Sequence, residues 1–158
     1  MGFLEWLQGT PLALFVAETL WAYPLMETLH TIGMAMLVGS LGLINLRVLG
    51  YKPELPVLGT RDLLPLAWIG FTINLISGLA LFTSDAVYFF SSWTFRLKIL
   101  LIVLGGINAA LLSQSVFRDG AGAGADVLER PSVRWIARSS LLFWIMAILA
   151  GRLVAYGP

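Results

Sequence analysis

The chain has 158 residues, of which 58% are hydrophobic and 12% are charged, and its formal net charge is +1. Soluble domains carry about 25% charged residues, so this composition is typical of a single membrane domain in contact with a lipid bilayer. The small net charge gives no support to nucleic-acid binding, which needs a basic surface. Cysteine is absent, which excludes disulfides, thiolate metal sites and iron–sulfur clusters.

The N-terminal segment, residues 1–23, is too short and too polar to cross a bilayer. Its apolar run at positions 12–17 ends when Glu18 interrupts it. Trp6 and Trp21 suit the headgroup level, where tryptophan is enriched. We therefore expect a short helix that lies in the membrane interface.

Four later segments contain the roughly 20 apolar residues that a helix needs to cross a bilayer. They cover about residues 24–46, 65–84, 94–117 and 134–156. The predicted fold is an all-α integral membrane protein, a four-transmembrane-helix bundle preceded by a short interfacial helix. The connection "DAVYFFSSW" between the second and third spans is expected to be a loop, and the run "GAGAGA" between the third and fourth predicts a flexible turn.

Lysine and arginine are concentrated in the first and third connections. The first holds Lys52 and Arg61, and the third and its flank hold Arg130 and Arg134. Because short cytoplasmic loops carry the excess of basic residues, both connections are expected on the cytoplasmic side. The sequence thus predicts a multi-pass membrane protein with both termini on the outer side.

This topology places polar residues from different helices at one depth near the outer face. They are Glu27 and His30 from the first span, Arg96 and Lys98 from the third, and Arg152 from the fourth. A charge inside a membrane helix costs on the order of 2.5–3.5 kcal/mol, so such residues are usually paired and functional. The excess of positive charge suits an anion, such as a cofactor with two carboxylates.

His30 is the only histidine in the chain. One histidine cannot supply the three or four ligands of a zinc or non-haem iron site, whereas haem iron needs only one or two axial ligands. His30 is therefore a candidate haem ligand, with Met146 or the His30 of a second subunit as candidates for the other position. The alternatives are a hydrogen bond to a carbonyl or a neighbouring helix, a proton relay, or contact with a quinone.

The basic residues also have structural interpretations. Arg96 and Lys98 lie close enough to a helix end to extend to the headgroups. Arg152 is flanked by apolar residues and is a candidate partner of Glu27 or Glu18 in an ion pair that holds the bundle together.

Small and amide side chains within the spans predict tight helix packing. Asn74 and Asn108 are expected to form interhelical hydrogen bonds. Small residues that would allow close backbone approach, and leave room for a flat macrocycle, are Gly33, Gly39, Gly42, Gly70, Ser77, Gly78, Gly105 and Gly106.

Several stretches together resemble known membrane proteins. A family of small four-helix bacterial membrane proteins, without an established activity, is similar over essentially the whole chain; the likeness is carried by "METLHTIGMAMLVGSLGLINLRVLG", "SGLALF", "FRLKILLIVLGGIN" and "AGRLVAYGP". More distantly, "LHTIGMAMLVGSLGLINLR" resembles the first helix of the haem-dependent protoporphyrinogen oxidase family and of copper-resistance-type membrane proteins. The oxidase resemblance implies that His30 is the haem-ligating position, with Lys98 near the same pocket. After Lys98 the chain departs from the oxidase pattern, because "GGINAALLSQ" stands in place of a second histidine.

The leading hypothesis is a membrane protein that binds haem b near its outer face and serves in electron transfer or redox sensing. His30 would be an axial ligand, Glu27 would orient it or pair with a base, and the three basic residues would neutralise the propionates. A single histidine makes a homo-oligomer plausible. Two alternatives are a non-catalytic accessory or scaffold subunit of a larger membrane complex and an oxidoreductase that resembles protoporphyrinogen oxidase.

Overall fold

The computed structural model describes residues 2–117 and 125–156, and these residues form helices and connections without any β-strand. Within these described residues, four helices are long and apolar enough to cross a membrane, which confirms the predicted all-α, multi-pass bundle. Two 3₁₀ turns occupy Leu58–Asp62 and Val154–Tyr156. The helices are α1 (Phe3–Gln8), α2 (Pro11–Glu18), α3 (Ala22–Val48), α4 (Leu63–Ser84), α5 (Ala86–Ser91), α6 (Trp93–Phe117), α7 (Ala125–Glu129) and α8 (Pro131–Leu153).

The four long helices each begin slightly earlier than the sequence predicts. The largest difference is at α8, which begins at Pro131, because proline at the first helical position loses no intrahelical hydrogen bond. The connection expected as a loop after α4 contains the short helix α5 instead. The predicted flexible turn falls mostly on residues 118–124, which lie outside the described residues.

The N-terminal segment forms two helices where one was expected. α2 packs against α3 and α4, burying Ala13 and Val16, while Leu12 and Phe15 stay exposed. The side-chain amide of Gln8 donates to Oδ1 of Asp85 at 2.9 Å, which ties the segment to the start of α5. The segment therefore lies over the end of the bundle where α4 meets α6.

α3 and α4 form the closer of two helix pairs, and two glycines bring their backbones into contact. A Cβ built on Gly33 would lie 2.8 Å from the Gly70 carbonyl oxygen, and one built on Gly70 would lie 2.6 Å from the Leu37 backbone nitrogen. These distances are shorter than real Cβ contacts, so both positions require glycine. Small residues commonly play this part in membrane helix pairs.

α6 and α8 form the second pair. The indole of Trp144 packs against Gly105, and a Cβ built on Gly105 would lie 3.0 Å from Cε2 of that indole. Nδ2 of Asn108 donates to Oγ of Ser139 at 2.7 Å, which confirms the hydrogen bond predicted for Asn108. At Gly39, Gly42 and Gly106 an added Cβ would meet nothing within 4 Å, so the close approach predicted there is wrong.

The two pairs are joined mainly through α3 and α8, where buried Asn45 donates to Oγ of Ser140 at 3.1 Å. α4 and α6 approach each other much less closely. They meet at one end through the stacked rings of Phe82 and Phe95, whose centroids are 5.5 Å apart. A cleft therefore runs between α4 and α6, with α3 and α8 as its floor.

Candidate functional site

His30 is held in place by α4. Its Nδ1 lies 3.0 Å from the carbonyl oxygen of Asn74 and 3.2 Å from Oγ of Ser77. Since a carbonyl oxygen only accepts hydrogen bonds, this network assigns the ring proton to Nδ1. In return, Nδ2 of Asn74 donates to the carbonyl oxygen of His30 at 2.8 Å. The other ring nitrogen, Nε2, carries the lone pair and faces α6.

Glycine beside the ring makes this position possible. A Cβ on Gly78 would lie 2.9 Å from Cε1 of His30, closer than real side chains approach. Asn74, Ser77 and Gly78 follow at i, i+3 and i+4, so they share one face of α4. That face binds the imidazole through the Asn74 carbonyl and the Ser77 hydroxyl, and Gly78 leaves the space that the ring occupies.

Lys98, which belongs to the other helix pair, donates a long hydrogen bond to Nε2 of His30. Its Nζ lies 3.5 Å from Nε2 of His30, and both side chains are partly buried. The lysine stem passes Gly151 of α8, where an added Cβ would lie 3.3 Å from Cδ. No ion pair joins Lys98 to any acidic side chain in the part of the chain that the structure describes.

Two cavities meet at the contact between His30 and Lys98. The first, called here the polar cavity, has a volume of about 610 Å³. The second, called the apolar cavity, has a volume of about 310 Å³ and extends down the cleft between α4 and α6. Both are partly open. Polar residues of the first cavity include Tyr23, Glu27, Thr31, Asp85 and Arg152, and the second is lined by side chains such as Phe71, Leu75, Leu79, Ile99, Ile102 and Trp144.

The structure brings four of the five predicted site residues to the polar cavity. Glu27 and Arg152 line it together with His30 and Lys98. Arg96 does not; its guanidinium donates to the carbonyl oxygens of residues 90 and 91 at the end of α5, both at 3.0 Å.

The ion pair proposed between Arg152 and Glu27 or Glu18 is not formed among the described residues. Arg152 and Glu27 instead remain exposed around the cavity, with charges that are available to a bound molecule. Met146 is also exposed and lines neither the polar nor the apolar cavity.

Sequence reasoning missed the residues that orient His30. Asn74 was expected to bond across helices, but not to the histidine, and Ser77 and Gly78 were expected only to allow close packing. Their i, i+3, i+4 spacing was a usable signal, because it places an amide, a hydroxyl and a gap on one helix face. The matching depth of His30 on a neighbouring helix would have completed the prediction.

The described residues contain no group of three or more histidine, cysteine, aspartate or glutamate side chains that could hold a metal ion. A metal bound only by protein side chains is therefore not supported there. The site offers one imidazole nitrogen, one amine, and space on both sides of their contact. Iron that is already held by a macrocycle needs no more than one or two such ligands.

The chain was compared with protein-family models, curated proteins and solved structures, and none of them matches it significantly. The resemblances to membrane-protein families given above therefore stay predictions.

Proposed function

We propose that the protein binds b-type haem where the polar and apolar cavities meet, with Nε2 of His30 as an axial ligand. The role we infer is electron transfer or redox sensing in the membrane. The observation that carries the proposal is the orientation of His30. Its Nδ1–H donates to a backbone carbonyl, as in most metal-ligating histidines, and its Nε2 lies where the two cavities meet and contacts the amine of Lys98.

The linings of the two cavities fit the two edges of haem. One edge carries two propionate carboxylates, and the polar cavity offers the guanidinium of Arg152, with Glu27 and Asp85 on the same wall. The other edges carry methyl and vinyl groups, and the apolar cavity offers leucine, isoleucine and phenylalanine side chains. Because the cavities adjoin at His30, Arg152 would hold the carboxylate edge of a bound haem and the apolar lining would hold its hydrocarbon edges.

The protein's own residues would set the properties of the site. Haem would supply a one-electron couple between ferric and ferrous iron. The Asn74 carbonyl fixes the tautomer and the plane of the imidazole, which raises the basicity of Nε2 as a ligand. The apolar lining limits the access of water, which is one of the means by which proteins adjust redox potentials.

We also propose that the protein lies in a bacterial inner membrane with its termini and the polar cavity on the periplasmic side. The concentration of lysine and arginine in the connections before α4 and before α8 supports this orientation. The site would then be open to a periplasmic redox partner or to a signal from outside the cell.

Replacing the ligand tests the proposal. His30→Gly should lose the bound haem, because it removes the only imidazole in the chain and leaves at most one of the two candidate protein ligands. Addition of imidazole should restore haem binding, because the small molecule can occupy the space beside the Asn74 carbonyl that the His30 ring vacates. Thr28→Val is a matched control, since Thr28 is exposed on the same helix and bonds only within it, to the Pro24 carbonyl. Haem retention by His30→Gly without imidazole would contradict the proposal.

A further inference from the structure

Lys98 forms one hydrogen bond in its observed position, from Nζ to Nε2 of His30, and no ion pair with an acidic side chain among the described residues. Its stem crosses from α6 to the floor of the cleft, and its Nζ ends 3.5 Å from Nε2 of His30. A lysine inside a membrane-spanning segment without an acidic partner is costly, and such residues usually mark a functional site. The position of the amine, directly facing the lone pair of the histidine, is therefore the feature to explain.

The distance between the two nitrogens is close to that of two ligands on opposite sides of one metal ion. A bond from a transition metal to an imidazole nitrogen is about 2.0–2.1 Å, so two opposed nitrogens would be about 4 Å apart. The observed separation is 3.5 Å. The flexible four-carbon stem of lysine can supply the small remaining displacement.

Space for a macrocycle lies on either side of the line between the two nitrogens. The polar cavity and the apolar cavity share His30 and Lys98 in their walls, together with Met34, Gly78 and Phe82. A flat ring can therefore pass between imidazole and amine and extend into both cavities. A lysine whose only task was to neutralise a propionate would be expected at the rim of the polar cavity, as Arg152 is.

We propose that Lys98 is the second axial ligand of the haem iron, opposite His30. This inference rests on the proposed function. To bind, the ammonium group releases one proton to water, and the freed lone pair forms the bond to iron in place of a water ligand. No electron is transferred in this step, and no further reactant is required.

Other donors are less suitable on geometric grounds. Met34 is one turn from His30 on the same helix, so it cannot reach the opposite side of a ring bound there. Met146 lines neither cavity. Arg152 keeps its proton in proteins and offers no lone pair. Lys98 is thus the one donor that faces Nε2 among the described residues.

The spin state of the iron in the purified full-length protein tests the inference. Wild-type ferric protein should be six-coordinate and low-spin by absorption and electron paramagnetic resonance. Lys98→Leu and Lys98→Arg should both lose the low-spin signal and become high-spin. The arginine variant separates ligation from charge, because it keeps the positive charge but cannot bind iron. Added imidazole should restore the low-spin signal in both variants.

Arg96→Leu is the matched control. Arg96 is a cation on α6, like Lys98, but its side chain lies away from the cavities. It should remain low-spin. A high-spin wild-type protein, or a low-spin Lys98→Arg protein, would overturn the lysine assignment while leaving haem binding by His30 intact. The complete lack of a Soret band in the wild type would overturn the proposed function and this inference together.

Discussion

Asn74 and His30 exchange two hydrogen bonds across the contact between α3 and α4. The amide of Asn74 donates to the His30 carbonyl at 2.8 Å, and Nδ1 of the imidazole donates to the Asn74 carbonyl at 3.0 Å. The two bonds set the register of the helix pair and the direction of Nε2 at the same time. The packing of α3 against α4 and the orientation of the imidazole therefore depend on the same two residues. Mutations can test these two effects separately.

Asn74→Leu should destabilise the helix pair but keep the site. The substitution removes the side-chain bond to His30, while the backbone carbonyl that receives Nδ1–H remains. Hydrogen bonds between membrane helices contribute about 0.6 kcal/mol on average and up to about 1.7 kcal/mol, so a loss of stability in that range is expected. Unfolding in mixed micelles measures it, and the Soret band reports the site. A correctly folded variant without haem would show that the amide itself is needed to hold the imidazole.

Gly70→Ala should be far more damaging, because the added methyl would meet the backbone of α3 at 2.6 Å. Relief of such a clash requires the helices to separate, and overpacking of this kind costs about 1–3 kcal/mol or more. Gly39→Ala is the control, since nothing lies within 4 Å of its added Cβ. Thermal unfolding followed by circular dichroism compares the two. Equal melting temperatures would contradict the direct backbone contact between α3 and α4.

Gly78→Ala should affect the site more than the fold. Its added methyl would meet only the imidazole of His30, at 2.9 Å from Cε1 and 3.2 Å from Nδ1. The ring can move aside, but then Nδ1 loses its alignment with the Asn74 carbonyl.

We expect affinity for haem to fall by about 10–100-fold, as is typical when the support of a metal ligand is disturbed. Haem titration of the apoprotein measures the change. Gly106→Ala is the control, because its Cβ would meet nothing within 4 Å, and equal affinities of both variants for haem would count against the proposed position of the iron.

The sequence is well suited to a test of orientation, since it contains no native cysteine. We expect Thr19→Cys, after α2, to react with a membrane-impermeant maleimide in intact spheroplasts. Glu54→Cys, in the basic connection between α3 and α4, should react only after lysis. Both residues are exposed. The reverse pattern would place the polar cavity on the cytoplasmic side.

The fold was predictable because length and apolarity alone determine which segments cross a membrane. The details of packing were not, since sequence does not distinguish Gly33, which touches another backbone, from Gly39, which faces open space. Which helices pair depends on how all four surfaces fit together, and no single span contains that information.

For the candidate site, the sequence predicted the depth in the membrane at which the polar residues lie. His30, Lys98 and Arg152 do meet around one cavity, as their distances from the helix ends indicated. Arg96 does not, because a shift of two residues along α6 turns its side chain by about 200° relative to Lys98. The structural alternative for His30, a hydrogen bond to a carbonyl on a neighbouring helix, is confirmed by its bond to Asn74, but the sequence could not predict which carbonyl accepts it.

The most direct measurement of the central claim is the absorption spectrum of the purified wild-type protein, before and after addition of dithionite. Haem binding at His30 should give a Soret band that sharpens and shifts on reduction, with the α and β bands of a b-type haem and one haem per chain. A purified, folded and colourless protein, still without a Soret band after incubation with haem, would contradict it.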